Sequence, residues 1–462
     1  MPRRAAITML ALSAAATALP QDAAPLEMAA GASMSATVVN LNSGQTIFEH
    51  DGDRRLTPAS VTKIFTTAAA LRSLGPQTRM ETAFGLTTDT AGHDLTIVGS
   101  FDPTTDSRFF SSPRLADAAD ALADALRSLG IDTLRSVRVD MSLSPEAPYC
   151  PKRLWEDMGN YYGAAPTVVM ADDNTADLYF SSPSGVGEEC HLDSVVPNVG
   201  GLRPRVSVRS YDGKADRCYV CLAGTSTWYA TGQIPRGRGA FRVRSAMPAP
   251  EKHYADKVAE RLQAAGIVVG QTGTTTAPRP DTTLLTLRSP TIAEIAKQTN
   301  FHSINLFADA LCLHLSTQGG TRRASWDAGA ETVEKFWRRE AGVSPTLRDG
   351  SGLSPANAMS ARDVVGMLTA MGKSEERESF MATLPRMGRK GTWGNMGRKT
   401  PLAGNVRAKS GTMSGVVSYA GYMTLKNGDE AAFCIIVNHF AEPAQTVRRK
   451  IVEWLVSVYN SN

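Results

Sequence analysis

Hydrophobic positions change their spacing several times along the chain, and each spacing predicts a different element. Two short strand-like runs, 34–41 and 45–50, lie on either side of the turn-forming residues 42–44, which predicts a β-hairpin. From residue 61, apolar side chains recur at every third or fourth position until Gly75. This spacing predicts an amphipathic helix of about 14 residues that stops at the glycine.

The pattern changes between residues 83 and 287, where short strands alternate with loops rich in glycine, proline and serine. Beyond residue 290 helical spacing dominates again, and the chain ends with strands followed by one amphipathic helix. The expected helices are 115–129, 254–265, 292–298, 305–315, 328–341 and 443–459. The expected strands include 94–98, 134–141, 217–222, 406–412, 416–425 and 430–438. This order predicts a mixed α/β (α+β) fold with a β-rich middle segment.

Residues 1–25 have the pattern of a secretory signal. Arg3 and Arg4 precede the apolar stretch 5–19, and small residues at 15–18 supply a cleavage region. The alternative is that the segment forms a buried N-terminal helix of the folded protein. That alternative is disfavoured because the segment lacks the polar face that a surface helix would need. No other stretch approaches the ~18 uninterrupted apolar residues of a membrane helix. The sequence therefore predicts a soluble protein that is exported to the periplasm.

Composition narrows the class of protein without identifying it. The 462 residues are 42% hydrophobic and 20% charged, which excludes a disordered or fibrous chain. The formal charge is only +4 and the cations are scattered, so no nucleic-acid partner is expected. Six cysteines fit an oxidising compartment, but the sequence does not choose among their pairings. Cys218 and Cys221 lie in a strand-like run, which argues against a zinc or redox site. No metal or cofactor is predicted, and the oligomeric state stays open.

Three short motifs suggest the chemistry of the protein. Each occurs once, and they lie at the start of a helix, at the start of another helix and at the edge of a strand. They are Ser60-x-x-Lys63, Ser303-x-Asn305 and Lys409-Ser410-Gly411. Any one of them alone has a plain structural explanation, such as a helix cap or the end of a strand. Together, in this order, they indicate a nucleophilic serine site.

A serine hydroxyl needs a neighbouring base to take its proton. Lys63 lies one helical turn from Ser60 and can act as that base if it is neutral. Burial and a second cation, Lys409, would both lower the pKa of Lys63 from ~10.4. Ser303 can relay a proton to a leaving amine, and Asn305 can hold both Lys63 and the substrate amide.

The third motif and the residue after it can bind the substrate. The backbone N–H groups of Ser60 and Thr412 can point at a developing oxyanion, where one donor contributes on the order of 3 kcal/mol. Lys409, with the hydroxyl groups of Ser410 and Thr412 on either side of Gly411, makes a cationic cradle suited to a terminal carboxylate.

The motif set resembles that of the penicillin-recognising serine enzymes. More narrowly, the chain is similar to the class C low-molecular-mass penicillin-binding proteins, which are D-alanyl-D-alanine carboxypeptidase/endopeptidases. Residues 58–71 resemble that family's nucleophile helix, and residues 349–354 (DGSGLS), with Asn357 and Ser360, resemble its second signature. Smaller matches lie at 101–103, 163–166 and 384–385, so the resemblance covers nearly the whole chain after residue 25.

The resemblance implies a penicillin-binding/β-lactamase-like transpeptidase domain that is split by a large β-rich insertion. The interval between Ser60 and Ser303 is far longer than in a compact β-lactamase, as in this family. We expect residues 26–82 and 288–462 to form the catalytic domain and residues 83–287 to form one or two accessory domains.

The resemblance also implies a carboxylate in the insertion that reads the amino group of the peptidoglycan diamino acid. Asp140 resembles it best, although an aspartate that caps a turn at the end of a strand is an equally good explanation. Two positions depart from the family pattern. Ser410 replaces a threonine, and Ile304 replaces an acidic residue, but neither change removes a catalytic group.

The resulting hypothesis is an exported serine DD-peptidase that cleaves D-Ala-D-Ala in peptidoglycan stem peptides through an acyl-enzyme on Ser60. β-Lactams would acylate the same serine. Carboxypeptidase and endopeptidase action on D-Ala-diamino acid cross-links both remain open. One alternative is a catalytically silent peptidoglycan-binding or scaffold protein. Another is a β-lactamase, although no motif for rapid hydrolysis of the acyl-enzyme is found.

Overall fold

The computed structural model describes residues 31–199, 203–223, 227–277, 280–318, 323–389 and 391–462. The predicted signal segment, residues 1–25, lies outside the described residues. The strands are β1 Ser33–Asn40, β2 Thr46–His50, β3 Arg79–Asp89, β4 Gly92–Val98, β5 Thr133–Asp140, β6 Thr175–Ser181, β7 His191–Val196, β8 Arg205–Tyr211, β9 Arg217–Ala223, β10 Thr227–Pro235, β11 Phe241–Ala246, β12 Val268–Thr275, β13 Thr282–Thr291, β14 Val406–Met413, β15 Val416–Thr424 and β16 Glu430–Asn438. The helices are α1 Thr62–Leu74, α2 Leu115–Ser128, α3 Pro250–Ala264, α4 Ile292–His302, α5 Asn305–Ser316, α6 Trp326–Ala341, α7 Ala361–Gly372, α8 Arg377–Met381 and α9 Ala444–Asn460.

Most of the predicted elements are confirmed. The hairpin of β1 and β2 and the three C-terminal strands lie within a residue or two of their expected bounds. Helix α3 starts earlier than predicted, at Pro250, because proline fits the first turn of a helix, where its missing N–H is not needed. Helices α7 and α8 were not predicted.

An antiparallel five-stranded sheet joins the two ends of the chain. Its strand order is β14-β15-β16-β1-β2, and β1 pairs with β16 from Ser33 opposite Asn438 to Asn40 opposite Ala431. Strand β16 is buried on both faces, which explains its continuous apolar sequence. One face of the sheet packs against the apolar stripe of α9, and α7 contacts the same sheet through β16, β1 and β15.

Helix α1 lies in the centre of the helical part of the fold, in contact with α4, α5 and α6. The helix predicted here is confirmed and ends at Gly75, but it is not amphipathic, because every residue from Thr62 to Leu71 is buried. Alanine and threonine side chains make such all-round burial possible, since they let neighbouring helices approach closely. The helix that carries Lys63 is therefore held on all sides.

The segment between α1 and α4 is rich in strands, as predicted. It forms a mixed sheet of order β12-β5-β4-β3-β13 and two three-stranded sheets, of order β11-β6-β7 and β8-β10-β9. The first strand of the segment, β3, pairs antiparallel with its last, β13. The chain therefore leaves and rejoins the helical part through two neighbouring strands.

All six cysteines are buried and free, so none of the possible disulfide pairings forms. In the described parts of the chain, no helix is both long and apolar enough to cross a bilayer.

Candidate active site

Ser60 lies in a short 3-10 turn, Ala59–Val61, that leads into α1. Ala59 adopts a left-handed backbone conformation with φ 48°, which costs a non-glycine residue on the order of 1 kcal/mol or more. The turn packs against Gly352, where a Cβ would lie 2.0 Å from the carbonyl oxygen of Ala59. The glycine of the second signature therefore permits the close approach that orients Ser60.

Lys63 is completely buried, and its Nζ contacts three oxygen atoms. It bonds to Ser60 Oγ at 2.9 Å, Asn305 Oδ1 at 2.6 Å and the carbonyl oxygen of Ser351 at 2.6 Å. Burial lowers the pKa of Lys63 to about 7, with Asp309 and Asp349 opposing the shift. The predicted lowering is confirmed, and burial is its main cause as expected.

The second cation that acts on Lys63 is not the expected one. Arg153, rather than Lys409, contributes to lowering the pKa of Lys63. Arg153 precedes β6 in the strand-rich segment and is also completely buried. The chemistry of Lys63 therefore depends on a residue that none of the sequence motifs includes.

Ser303 and Asn305 lie at the junction of α4 and α5. Ser303 caps the end of α4 in a left-handed conformation with φ 58°, and Asn305 is the first residue of α5. The amide Nδ2 of Asn305 donates to the carbonyl oxygen of Tyr162 at 2.8 Å, which fixes Oδ1 towards Lys63. The helix start predicted for this motif is confirmed.

Lys409 is buried behind the wall of the site. Its Nζ donates to Ser303 Oγ at 2.9 Å and to the carbonyl oxygen of Ser410 at 2.6 Å. Burial, and then the nearby Lys63, push the pKa of Lys409 well below its usual value. The side chain of Lys409 is completely buried, which its sequence context did not predict. Its role in binding a substrate carboxylate stays a prediction.

Gly411 brings strand β14 against the turn of Ser60. A Cβ at Gly411 would lie 2.2 Å from Ser418 Oγ, 2.5 Å from the carbonyl oxygen of Pro58 and 3.0 Å from the backbone nitrogen of Ser60. Only glycine fits between these groups. Because β14 is the edge of its sheet, part of its backbone is free to pair with a substrate strand.

These residues surround an open cleft of about 580 Å³. The described residues that line it are Ser60, Ser303, Thr392, Asn395, Met396, Ser410, Thr412, Tyr419, Gln445 and Arg448. The fold thus brings all three motifs to one place, with Lys63, Asn305 and Lys409 bonded behind the cleft wall.

Asp140 is engaged elsewhere. It ends β5, is 6% exposed and accepts hydrogen bonds from the backbone N–H of Ser142 at 2.9 Å and from its hydroxyl at 2.5 Å. These are the contacts of a turn cap, and Asp140 is not among the described residues lining the cleft. Its role in substrate binding stays a prediction.

Sequence reasoning missed a buried ionic cluster directly behind Lys63. Arg153 bonds to Asp309, to Asp349 Oδ2 at 3.0 Å and to Ser351 Oγ at 3.0 Å, and all three charged side chains are inaccessible. The carbonyl oxygen of the same Ser351 accepts from Lys63. A local signal existed for Asp309, since it is a lone carboxylate in the apolar helix α5.

The pKa values of the two carboxyl groups in this cluster shift in opposite directions. Burial raises the pKa of Asp309 to about 6, against the stabilising charge of Arg153. Burial also disfavours the charge of Asp349, but Arg153, the Asn357 amide and two backbone N–H groups hold its pKa below the usual value. Asp349 is therefore the carboxyl group of the two that more readily stays ionised opposite Arg153.

The fold is that of a penicillin-binding protein. Penicillin-binding protein 4 (dacB) from Haemophilus influenzae superposes with a TM-score of 0.80 at 22% identity, over 94% of this chain and 97% of that one. A second structure of that protein, complexed with a β-lactam, gives a TM-score of 0.76 at 22% identity, again over 94% of this chain and 97% of that one. The predicted fold class is confirmed.

The chain belongs to the D-Ala-D-Ala carboxypeptidase 3 (S13) family, which it matches over residues 18–458. A D-alanyl-D-alanine carboxypeptidase from an Actinomadura species is 30% identical over 443 residues, covering 90% of this chain and 79% of the relative. The D-alanyl-D-alanine carboxypeptidase DacB of Haemophilus influenzae is 24% identical, covering 93% of this chain and 91% of the relative. The protein is a serine-type D-Ala-D-Ala carboxypeptidase, as the sequence predicted.

Proposed function

We propose that this carboxypeptidase removes the terminal D-Ala from peptidoglycan stem peptides through an acyl-enzyme on Ser60, and that β-lactams acylate the same serine. The observation that carries the proposal is the set of three contacts made by Lys63 Nζ. A neutral amine has two hydrogens and one lone pair. Asn305 Oδ1 and the carbonyl oxygen of Ser351 can only accept, so they take the two hydrogens.

The lone pair of Lys63 then faces the third neighbour, the hydroxyl group of Ser60 at 2.9 Å. In this arrangement Ser60 donates a hydrogen bond to the neutral Lys63. As Ser60 Oγ attacks the carbonyl carbon, its proton would pass along that bond to Nζ. A pKa of about 7 for Lys63 keeps a large fraction of the base neutral near neutral pH. The buried contacts of Nζ therefore support Lys63 as the general base.

Ser303 is the group that would deliver a proton to the leaving amine. Its Oγ accepts a hydrogen bond from Lys409, so its own hydrogen remains available to a substrate nitrogen in the cleft. Lys409 can replace that proton after transfer. Ser303 and Lys409 would thus act as a second serine and lysine pair on the leaving-group side.

The backbone N–H groups of Ser60 and Thr412 would bind the developing oxyanion. The close packing at Gly411, where an added Cβ would lie 3.0 Å from the Ser60 nitrogen, supports this pairing of the turn with β14. Each such donor contributes on the order of 3 kcal/mol to the transition state. The substrate would lie along the free edge of β14.

We also propose the division of the chain into a split catalytic domain, residues 26–82 and 288–462, and an insertion, residues 83–287. Two pairings support it. Strand β1 bonds with β16 across the length of the sequence, and β3 bonds with β13 at the two ends of the strand-rich segment. Export through a signal at residues 1–25 is likewise part of the proposal, and the N-terminal sequence of the secreted protein tests it.

The carboxylate that reads the substrate's diamino acid remains to be chosen between two aspartates. Asp140 is the sequence-based prediction, but its Oδ1 already accepts two hydrogen bonds from Ser142. Asp157 accepts from the Tyr162 hydroxyl at 3.0 Å, and the Tyr162 carbonyl accepts from Asn305. Asp157 is therefore linked to the site by two successive contacts. Substituting each aspartate by asparagine and comparing lysine- and diaminopimelate-containing peptides would distinguish them.

A fluorescent penicillin tests the acyl-enzyme directly. We expect stoichiometric labelling of the wild type and none of Ser60→Ala, because that variant lacks the nucleophile. Ser73→Ala, an exposed serine near the end of the same helix, is the matched control and should label fully. Labelling that persists in Ser60→Ala would overturn the assignment.

Incubation with purified sacculi tests the substrate. Loss of pentapeptides with release of D-Ala would support carboxypeptidase action on peptidoglycan, and loss of cross-linked dimers would add endopeptidase action. Binding of muropeptides without product would contradict the proposal and favour the silent scaffold protein. Fast turnover of a chromogenic cephalosporin would instead favour the β-lactamase.

A further inference from the structure

Lys409, the cation that the sequence assigned to the substrate carboxylate, does not line the cleft. A substrate carboxylate that enters a partly enclosed cleft needs a charged or hydrogen-bonding partner to offset its lost hydration. Lys409 is completely buried, does not line the cleft, and uses its Nζ on Ser303 and on the carbonyl oxygen of Ser410. Among the described residues that do line the cleft, Arg448 is the only charged one.

Arg448 lies in the first turns of α9 and is anchored by hydroxyl groups. Its Nη2 donates to Thr412 Oγ1 at 3.0 Å, next to the third motif. Arg448 also lies beside the hydroxyl group of Tyr419, another residue of the cleft wall. Burial raises the pKa of Tyr419 to about 12, and Arg448 opposes that shift. The guanidinium is thus held at the cleft surface on the side of β14.

No carboxylate in the described parts of the chain forms an ion pair with Arg448. Its two neighbours in sequence differ in this respect, since Arg449 pairs with Glu453 at 3.0 Å and Lys450 pairs with Glu442 at 2.9 Å. A guanidinium presents several N–H donors in a planar fork, and the contacts with Thr412 and Tyr419 engage only part of them. Arg448 therefore keeps donors and a full charge available to a ligand.

We propose that Arg448, together with the hydroxyl groups of Ser410 and Thr412, binds the carboxylate of the residue that follows the scissile bond. This inference rests on the proposed function and assigns the charge recognition of the substrate to α9 instead of Lys409. The ligand class is a peptide with a free α-carboxylate after the scissile bond, or a β-lactam with its ring carboxylate. Arg448 makes the enzyme select such substrates over uncharged analogues.

The test compares two substrates and three variants of the full-length enzyme. The substrates are an N-acylated tripeptide ending in D-Ala-D-Ala and the same peptide with a C-terminal carboxamide. The wild type should prefer the carboxylate in kcat/KM. Arg448→Ala should lower kcat/KM for the carboxylate on the order of 10- to 100-fold, as expected for a lost charged hydrogen bond, and leave the amide nearly unchanged. Arg448→Lys should restore part of the preference.

Arg449→Ala is the matched control, because Arg449 is the next residue but pairs with Glu453, and it should keep the wild-type ratio. Complete labelling by penicillin at saturation shows that each variant retains a folded site. An unchanged ratio in Arg448→Ala, or an equal fall for both substrates, would overturn the inference. Failure of the proposed function looks different, because the wild type itself would neither be labelled on Ser60 nor release D-Ala.

Discussion

Arg153 donates two hydrogen bonds, both of 3.0 Å, to one carboxylate oxygen of Asp349, a residue 196 positions further along the chain. Both side chains are inaccessible to solvent. The contact joins the strand-rich segment to the loop whose carbonyl oxygen, at Ser351, holds Lys63. Removing Arg153 would leave Asp349 and Asp309 buried without their ion-pair partner.

We expect Arg153→Met to destabilise the protein by about 3–5 kcal/mol, because it leaves the Asp349 carboxylate buried and unpaired. Urea denaturation measures the free energy of unfolding. Arg449→Ala, which breaks an exposed pair with Glu453, should cost only about 0.5 kcal/mol. Equal losses in the two variants would show that the cluster does not stabilise the fold.

The rate of acylation should depend on pH through Lys63. Its pKa of about 7 means that the neutral, basic form grows as pH rises through that value. The rate constant for acylation by a fluorescent penicillin should therefore rise about tenfold per pH unit below 7 and level off above it. A rate that falls with rising pH across this range would contradict the assignment of Lys63 as the base.

Asn305→Asp should move that pH profile upwards. The substitution keeps an acceptor 2.6 Å from Lys63 Nζ but gives it a negative charge, which stabilises the ammonium form. We expect the midpoint to rise by about one unit or more, so acylation is lost near pH 7 and recovers in more alkaline buffer. Asn427→Asp, at an exposed turn, should leave the midpoint unchanged. A loss of rate without a shift would mean that Asn305 acts only by positioning.

Gly411→Ala should slow acylation on the order of 10- to 100-fold, because its Cβ would meet Ser418 Oγ and the Pro58 carbonyl oxygen and force β14 away from Ser60. The second-order rate constant for penicillin acylation is the measurement. Gly273→Ala is the matched control, since it is also a strand glycine but has open space around it. Wild-type rates in Gly411→Ala would show that β14 can shift without cost.

Local spacing is enough to predict the elements that carry the motifs. The recurrence of apolar residues up to Gly75 places Ser60 and Lys63 at the start of one helix, and Ser303-x-Asn305 marks the start of another. These features depend on residues that are close in sequence, where the helical period decides which side chains share a face.

The features that sequence reasoning missed depend on long-range packing. The burial of Lys409 could not be predicted because it depends on the way β14 packs against the turn of Ser60. Arg153 and Arg448 belong to no motif, because their contacts with Asp349 and Thr412 join segments that are far apart in the sequence. The sequence of helix α1 has an amphipathic pattern. Its alanine and threonine side chains do not indicate that neighbouring elements cover the helix on every side.

Strands β3 and β13 lie side by side, so the chain between them departs and returns within the roughly 5 Å that separates paired strands. A segment attached in this way can grow, shrink or be exchanged during evolution without moving the chain on either side of it. Arg153 limits that freedom, because it is the cation that the buried carboxylates beneath the nucleophile require. Any replacement segment would have to bring its own positive charge to the same point, because the strand-rich segment supplies the cation of the buried cluster behind Lys63.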